Sequence, residues 1–167
     1  PYRPKLYVLS IGVSTYRDST MNLAFASKDA DDFARVMVQQ KGKLYENVKI
    51  RLLKDNNATR DEIAAGLDWL KSEVTSKDVG MVFMAGHGLN DANGRFFFLP
   101  HNANMTQLIS TAISNDDIRD ALGSLAGKSF LFIDSCHSGN AFGTARLRST
   151  PTDSAAFINE LASAENG

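Results

Sequence analysis

The chain alternates between short runs that are apolar throughout and longer stretches in which apolar residues recur every three or four positions. A run apolar on both faces reads as a strand of a parallel sheet, and the 3.6-residue recurrence reads as a helix with one face on that sheet. Residues 6–13 form the first predicted strand, apolar on both faces and therefore central. Ser27 is placed to cap a helix running to about Gln40, with Asp29 and Asp31 in its first turn. Ala30, Phe33, Ala34 and Met37 share its inner face. Residues 48–53 are the second strand. Thr59 then caps a helix to about Val74, with Glu62 completing a capping box and Ile63, Leu67 and Leu70 facing inward. Residues 79–85 are the third strand. Asn90-Asp91-Ala92-Asn93-Gly94 signals a turn between two short extended pieces, the second over residues 95–99. A helix begins near Ser114, with Asp116 and Asp117 in its first turn, and residues 128–133 are the fourth strand. Past Gly139 the chain reads as loop, through Gly143, Arg146, Arg148 and Pro151, before an amphipathic helix over residues 155–164 that bears Phe157, Ile158 and Leu161. The β-α-β-α-β-α-β order predicts a doubly wound α/β layer structure.

Composition narrows the function classes. The 167 residues suffice for one domain with a substantial core, and 43% are hydrophobic, too many for a disordered chain. The 18 basic and 19 acidic side chains are scattered and leave a net charge of -1, so neither nucleic acid nor an anionic membrane surface is an expected partner. No apolar run approaches the roughly 18 residues of a membrane span. The one cysteine, Cys136, cannot form an internal disulfide. A free thiol suits a reducing compartment, and the expected location is cytoplasmic.

The candidate chemistry lies at the ends of two apolar runs. Cys136 follows the fourth strand in Asp134-Ser135-Cys136-His137-Ser138-Gly139, and His87 follows the third in Gly86-His87-Gly88. Open α/β sheets bind ligands beyond the carboxyl ends of their strands, so thiol and imidazole are expected on one rim. An imidazole that takes the thiol proton makes a nucleophile able to attack a peptide carbonyl. The backbone amides of Gly88 and Cys136 are the simplest donors to the resulting oxyanion. The sequence indicates no third group to orient His87.

Blander readings compete. A lone cysteine at a strand end is often a small buried hydrophobe, and His87 could be a loop residue that bonds to the backbone. His137 adjoins the thiol in sequence, where extended neighbours point apart, and His101 reads as a surface or hairpin residue. One cysteine with three scattered histidines is a poor zinc set. No Gly-x-Ser-x-Gly elbow, phosphate loop or dinucleotide fingerprint occurs.

Tyr7-Val8-Leu9-Ser10-Ile11-Gly12-Val13, Met84-Ala85-Gly86-His87-Gly88 and Asp134-Ser135-Cys136-His137-Ser138-Gly139 together resemble the caspase-like cysteine peptidases of clan CD. The similarity is greatest to metacaspases and bacterial orthocaspases in peptidase family C14, and extends over nearly the whole chain. The step from His87 to Cys136, roughly 50 residues, is the interval such enzymes place between base and nucleophile. The resemblance implies a three-layer α/β/α fold around a mostly parallel sheet of about six strands, four of them supplied here. The remaining two would belong to a smaller part outside this chain, as a separate or processed partner.

It also implies that Cys136 is the nucleophile, His87 the general acid/base, and Gly88 part of the oxyanion hole. Asp134 resembles the metacaspase residue at the base of the S1 pocket, so the implied activity is endopeptidase cleavage of protein or peptide substrates after Arg or Lys. No cofactor is required by that chemistry. Asp116 and Asp117 resemble an acidic pair of the calcium site found in some metacaspases, but Gly143 and Asn102 stand where further ligands are expected. The same aspartates also suit a helix N-terminus without any metal. A catalytically silent interaction or regulatory module on the same fold is the alternative function.

Overall fold

The computed structural model describes residues 2–137. Along the chain run β1 (Leu6–Gly12), α1 (Ala26–Val38), β2 (Val48–Lys54), α2 (Arg60–Glu73), β3 (Val79–Asn90), β4 (Phe96–Phe98), α3 (Leu108–Thr111), β5 (Ile113–Ser114), α4 (Asn115–Gly123) and β6 (Lys128–His137). The four expected strands pair in parallel: β2 on β1, β1 on β3, and β3 on β6. Two short strands join them, β4 antiparallel to the end of β3 and β5 antiparallel to β4, so the described residues supply six strands where four were expected. The result is a curled, largely parallel six-stranded sheet in an α/β/α arrangement.

Each face of the sheet has its own apolar layer. Leu9, Ile11, Val82 and Met84 pack with Ile63, Leu67 and Leu70 of α2 and Ile118 of α4. Leu6, Val8, Val79 and Met81 point to the opposite face, where Phe33 and Met37 of α1 lie against them. This is why β1 is apolar at every position but one: both of its faces are covered. The ring of Phe33 stacks on Phe83 at 4.6 Å and leans on Phe132 at 5.4 Å. Further along β6, cover thins out, and Phe130 and Phe132 remain 45% and 44% exposed.

Several local expectations are corrected. Ser27 does not cap α1; its hydroxyl meets Ser14 Oγ at 3.0 Å, and the N-cap position falls two residues earlier, at Phe25, with no side-chain cap. Thr59 does cap α2, Oγ1 accepting from the Glu62 amide at 3.3 Å. The reciprocal capping box forms instead at α4, between Ser114 and Asp117. β3 and β6 each run past their apolar stretches, because their pairing continues through the small residues to Gly88 opposite His137. His87 and Cys136 therefore belong to strands rather than to loops beyond them. The helix expected over residues 155–164 and the loop before it lie outside the described residues. Among the described residues no helix is long and apolar enough to cross a membrane.

Candidate active site

The register of the two central strands sets the candidate site. His87 on β3 is the backbone partner of Cys136 on β6, and Ala85 is the partner of Asp134. Neighbouring strands lie about 4.8 Å apart, so the two residues chosen from sequence stand on adjacent strands at the same level. Asp134 is exposed, two residues along β6 from the Phe132 that touches α1.

The imidazole of His87 is buried, 6% exposed. Its Nε2 lies 2.7 Å from the carbonyl oxygen of Met21. A carbonyl only accepts, so Nε2 must carry the proton, and in the neutral ring Nδ1 then holds a free lone pair. Nδ1 is buried and has no hydrogen-bond partner among the described residues. Buried polar atoms are rarely left unpaired in folded proteins, and such an orphan marks a place where something else is meant to bind or react. The ring of Tyr16 packs 5.2 Å from the imidazole, tilted by 45°.

Met21 is the orienting group that sequence reasoning did not find. It ends a short 3-10 turn over Ser19–Met21, which Asp18 caps by accepting from the Thr20 amide at 3.0 Å. The segment bearing this turn is tied down at both ends. Asp55 Oδ1 accepts from the amides of Ser14 and Thr15, each at 2.9 Å, and the Leu23 amide donates to Ser14 O at 2.8 Å. Since the acceptor is a backbone carbonyl, residue type at position 21 carries no signal of it. Only the Asp18-Ser19-Thr20 turn chemistry hinted at an ordered loop here.

Gly88 is needed for close packing. A Cβ there would lie 2.5 Å from the Phe96 ring and 3.2 Å from Ser135 Cβ. The His87 carbonyl accepts from Leu99 on the β4 side, and peptide groups alternate along a strand, so the Gly88 amide faces β6. His101 sits away from the imidazole, its Nδ1 2.5 Å from Thr15 O.

Asp116 and Asp117 lie apart from this group, at the start of α4 beyond β5. Asp117 Oδ2 accepts from the Ser114 amide at 3.1 Å, and Asp116 pairs with Arg119 at 2.7 Å. A hard cation wants six or more oxygens. No third aspartate, glutamate, histidine or cysteine joins these two among the described residues.

A parallel sheet with helices on both faces, and a buried imidazole brought level with a cysteine on the next strand, is the arrangement of a caspase-like domain. The chain belongs to that family: the Caspase domain model of the C14 peptidases matches residues 5–165. Among solved structures it is similar to the crystal structure of protein GSU0716 from Geobacter sulfurreducens, at 18% identity and a TM-score of 0.66. That alignment covers 98% of this chain but 65% of the other, so this chain spans less than two thirds of that protein's length. At such identity the likeness is one of fold. No curated protein matches the sequence.

Proposed function

We propose that this chain is the larger catalytic part of a cysteine endopeptidase that cleaves after Arg or Lys, with Cys136 as nucleophile and His87 as general acid/base. The observation that carries the proposal is the His87 ring: Met21 O holds the proton on Nε2, and Nδ1, without a partner among the described residues, belongs to the residue in register with Cys136. Nδ1 takes the thiol proton, and the thiolate adds to the scissile carbonyl to form a C–S bond. The Gly88 and Cys136 amides, at the last rungs of the β3–β6 ladder, are the proposed donors to the oxyanion once substrate draws them out of their strand bonds. As the tetrahedral intermediate collapses, the imidazolium returns the proton to the departing amine and the C–N bond breaks. Water, deprotonated by the same nitrogen, then hydrolyses the thioester and restores the thiol.

Asp134 supports the basic preference, being an exposed carboxylate two residues before the proposed nucleophile on β6. A guanidinium would meet it through paired charge-assisted bonds, and lysine as a point charge, whereas an aspartate would be repelled. The smaller caspase-like part, carrying two further strands, is the proposed partner at the edge of β6 that is unpaired among the described residues. No cofactor enters the chemical steps.

The test is hydrolysis of a fluorogenic peptide amide library by the full-length protein. Cys136→Ala should abolish turnover with folding retained, and His87→Ala should lower it by at least about 10²-fold. Asp134→Ala should selectively depress cleavage after Arg while sparing reaction of the thiol with iodoacetamide. Turnover surviving Cys136→Ala would refute the nucleophile. Thiol alkylation unaffected by His87→Ala, together with no hydrolysis of any library member, would identify a catalytically silent module instead.

A further inference from the structure

The ladder between β3 and the end of β4 contains an irregularity at His87. Gly88 pairs with Phe98, so His87 stands opposite Leu99. Such an antiparallel pair normally exchanges two direct N–H···O bonds. Here only one is direct, from the Leu99 amide to His87 O at 2.9 Å. The other is interrupted by a side chain. The His87 amide donates to Tyr16 Oη at 2.9 Å, and the Tyr16 hydroxyl donates onward to Leu99 O at 3.2 Å.

The phenol oxygen therefore stands where a backbone bond would otherwise close, and holds the two strands apart on that side of His87. Tyr16 is 3% exposed, and its own amide is fixed by Asn22 Oδ1 at 2.8 Å. The neighbouring glycine makes room for it: a Cβ on Gly86 would lie 3.0 Å from Tyr16 Oη. Tyr16 thus touches His87 twice, through the backbone amide and through the face of the ring. It lies on the same short segment as Met21, which fixes Nε2.

From this we infer that Tyr16 is a positioning residue for the imidazole: its hydroxyl, acting as a spacer in the strand ladder, sets how far His87 stands from β4 and so where Nδ1 is aimed. The inference rests on the proposed role of His87 as the base. Without the oxygen, the His87 amide either loses its partner in a buried site or closes directly on Leu99 O. Closure shifts the histidine backbone, and a misplacement of about 1 Å is enough to cost two orders of magnitude in a reaction that depends on alignment.

The test uses iodoacetamide on the full-length protein, with mass spectrometry to follow alkylation of Cys136 at pH 6.5 and at pH 9.5. At high pH any thiol reacts as thiolate, whereas at low pH reaction depends on transfer of the proton to the base. Tyr16→Phe preserves the ring and removes one oxygen. It should lower the pH 6.5 rate at least threefold and leave the pH 9.5 rate within twofold, with KM for a cleaved peptide unchanged and kcat reduced. Asn22→Ala, which releases the Tyr16 amide without touching His87, should move the low-pH rate in the same direction by a smaller factor, and it serves if Tyr16→Phe does not accumulate. Rates matching the unmodified protein in both variants at both pH values, while His87→Ala abolishes the low-pH reaction, would overturn the spacer role and leave the dyad standing. A low-pH rate that His87→Ala does not change would overturn the dyad, and the spacer role with it.

Discussion

Asp55 is the described non-glycine residue with a positive φ, 50°, and it spends that conformation on fastening the segment that orients His87. Its Oδ1 accepts from both the Ser14 and Thr15 amides at 2.9 Å. A hydrogen bond to a charged acceptor contributes about 1.5–3 kcal/mol when well buried. Asp55 is partly exposed, so water recovers part of that value, and about 2 kcal/mol for the pair is the appropriate scale. Asp55→Ala loses both bonds and keeps the positive φ without the local polar contacts that make it tolerable for aspartate, so a loss of about 2–3 kcal/mol is expected. Asp55→Gly loses the same bonds but relieves roughly 1 kcal/mol of backbone strain, leaving about 1–2 kcal/mol. Asp55→Asn retains an acceptor oxygen and tolerates the conformation, and should cost less than about 1 kcal/mol. Equilibrium urea unfolding of the full-length protein gives the ordering, and iodoacetamide alkylation of Cys136 at pH 6.5 should fall in the same sequence. Asp55→Ala within about 0.5 kcal/mol of the unmodified protein, or Asp55→Gly less stable than Asp55→Ala, would refute the reasoning.

Three further outcomes follow from other parts of the molecule. Gly12→Ala would bring a Cβ to 2.4 Å from Ala26 O and 2.8 Å from Ser27 Cα, so the backbone of α1 must move and a loss of at least about 3 kcal/mol is expected. Gly66→Ala meets Leu9 Cδ1 at 2.6 Å, the tip of a flexible side chain, and helix propensity returns about 1 kcal/mol, so it should cost less than half as much; the reverse order in urea unfolding would contradict the packing argument. For Asp78, burial pushes the carboxyl up, but hydrogen bonds from the Thr75 hydroxyl and amide and the Lys5 amide, with the Lys5 charge, outweigh it and hold the pKa below its ordinary value. A depressed carboxyl stabilises the fold above the ordinary carboxylate range and loses that contribution as pH falls through the lowered value, so the deficit of Asp78→Asn should be full at pH 7 and shrink below about pH 4. A deficit that widens in acid would be inconsistent with this sign. Phe130→Ser with Phe132→Ser should reduce binding of a hydrophobic dye by this chain, since both rings are half exposed on β6; unchanged dye binding would place the sticky surface elsewhere.

The sequence by itself determined the layer order and the four parallel strands, because a strand covered on both faces must be apolar at nearly every position and a helix on one face must repeat at 3.6. It also located the start of α4 near Ser114 and the cap of α2 at Thr59, since capping is a local interaction between residues three apart, although the reciprocal box formed at Ser114 and not at Thr59. The two residues proposed for catalysis were legible because small and polar residues interrupt apolar strands only where function or close packing requires them.

Strand ends were not legible. β3 and β6 continue through glycine, histidine and serine because each supplies the other's hydrogen bonds, a condition that exists only once the strands are side by side. The orienting partner of His87 was equally hidden: Met21 contributes a carbonyl that every residue possesses, and only the fold brings it 2.7 Å from the ring. Tyr16 reads in sequence as one more aromatic near a strand end, and its insertion between His87 and Leu99 depends on a meeting with the β3–β4 pair 71 and 83 residues away in the chain. Side-chain pattern encodes which face of an element is buried, whereas the meeting of backbone groups across elements is decided by tertiary packing alone.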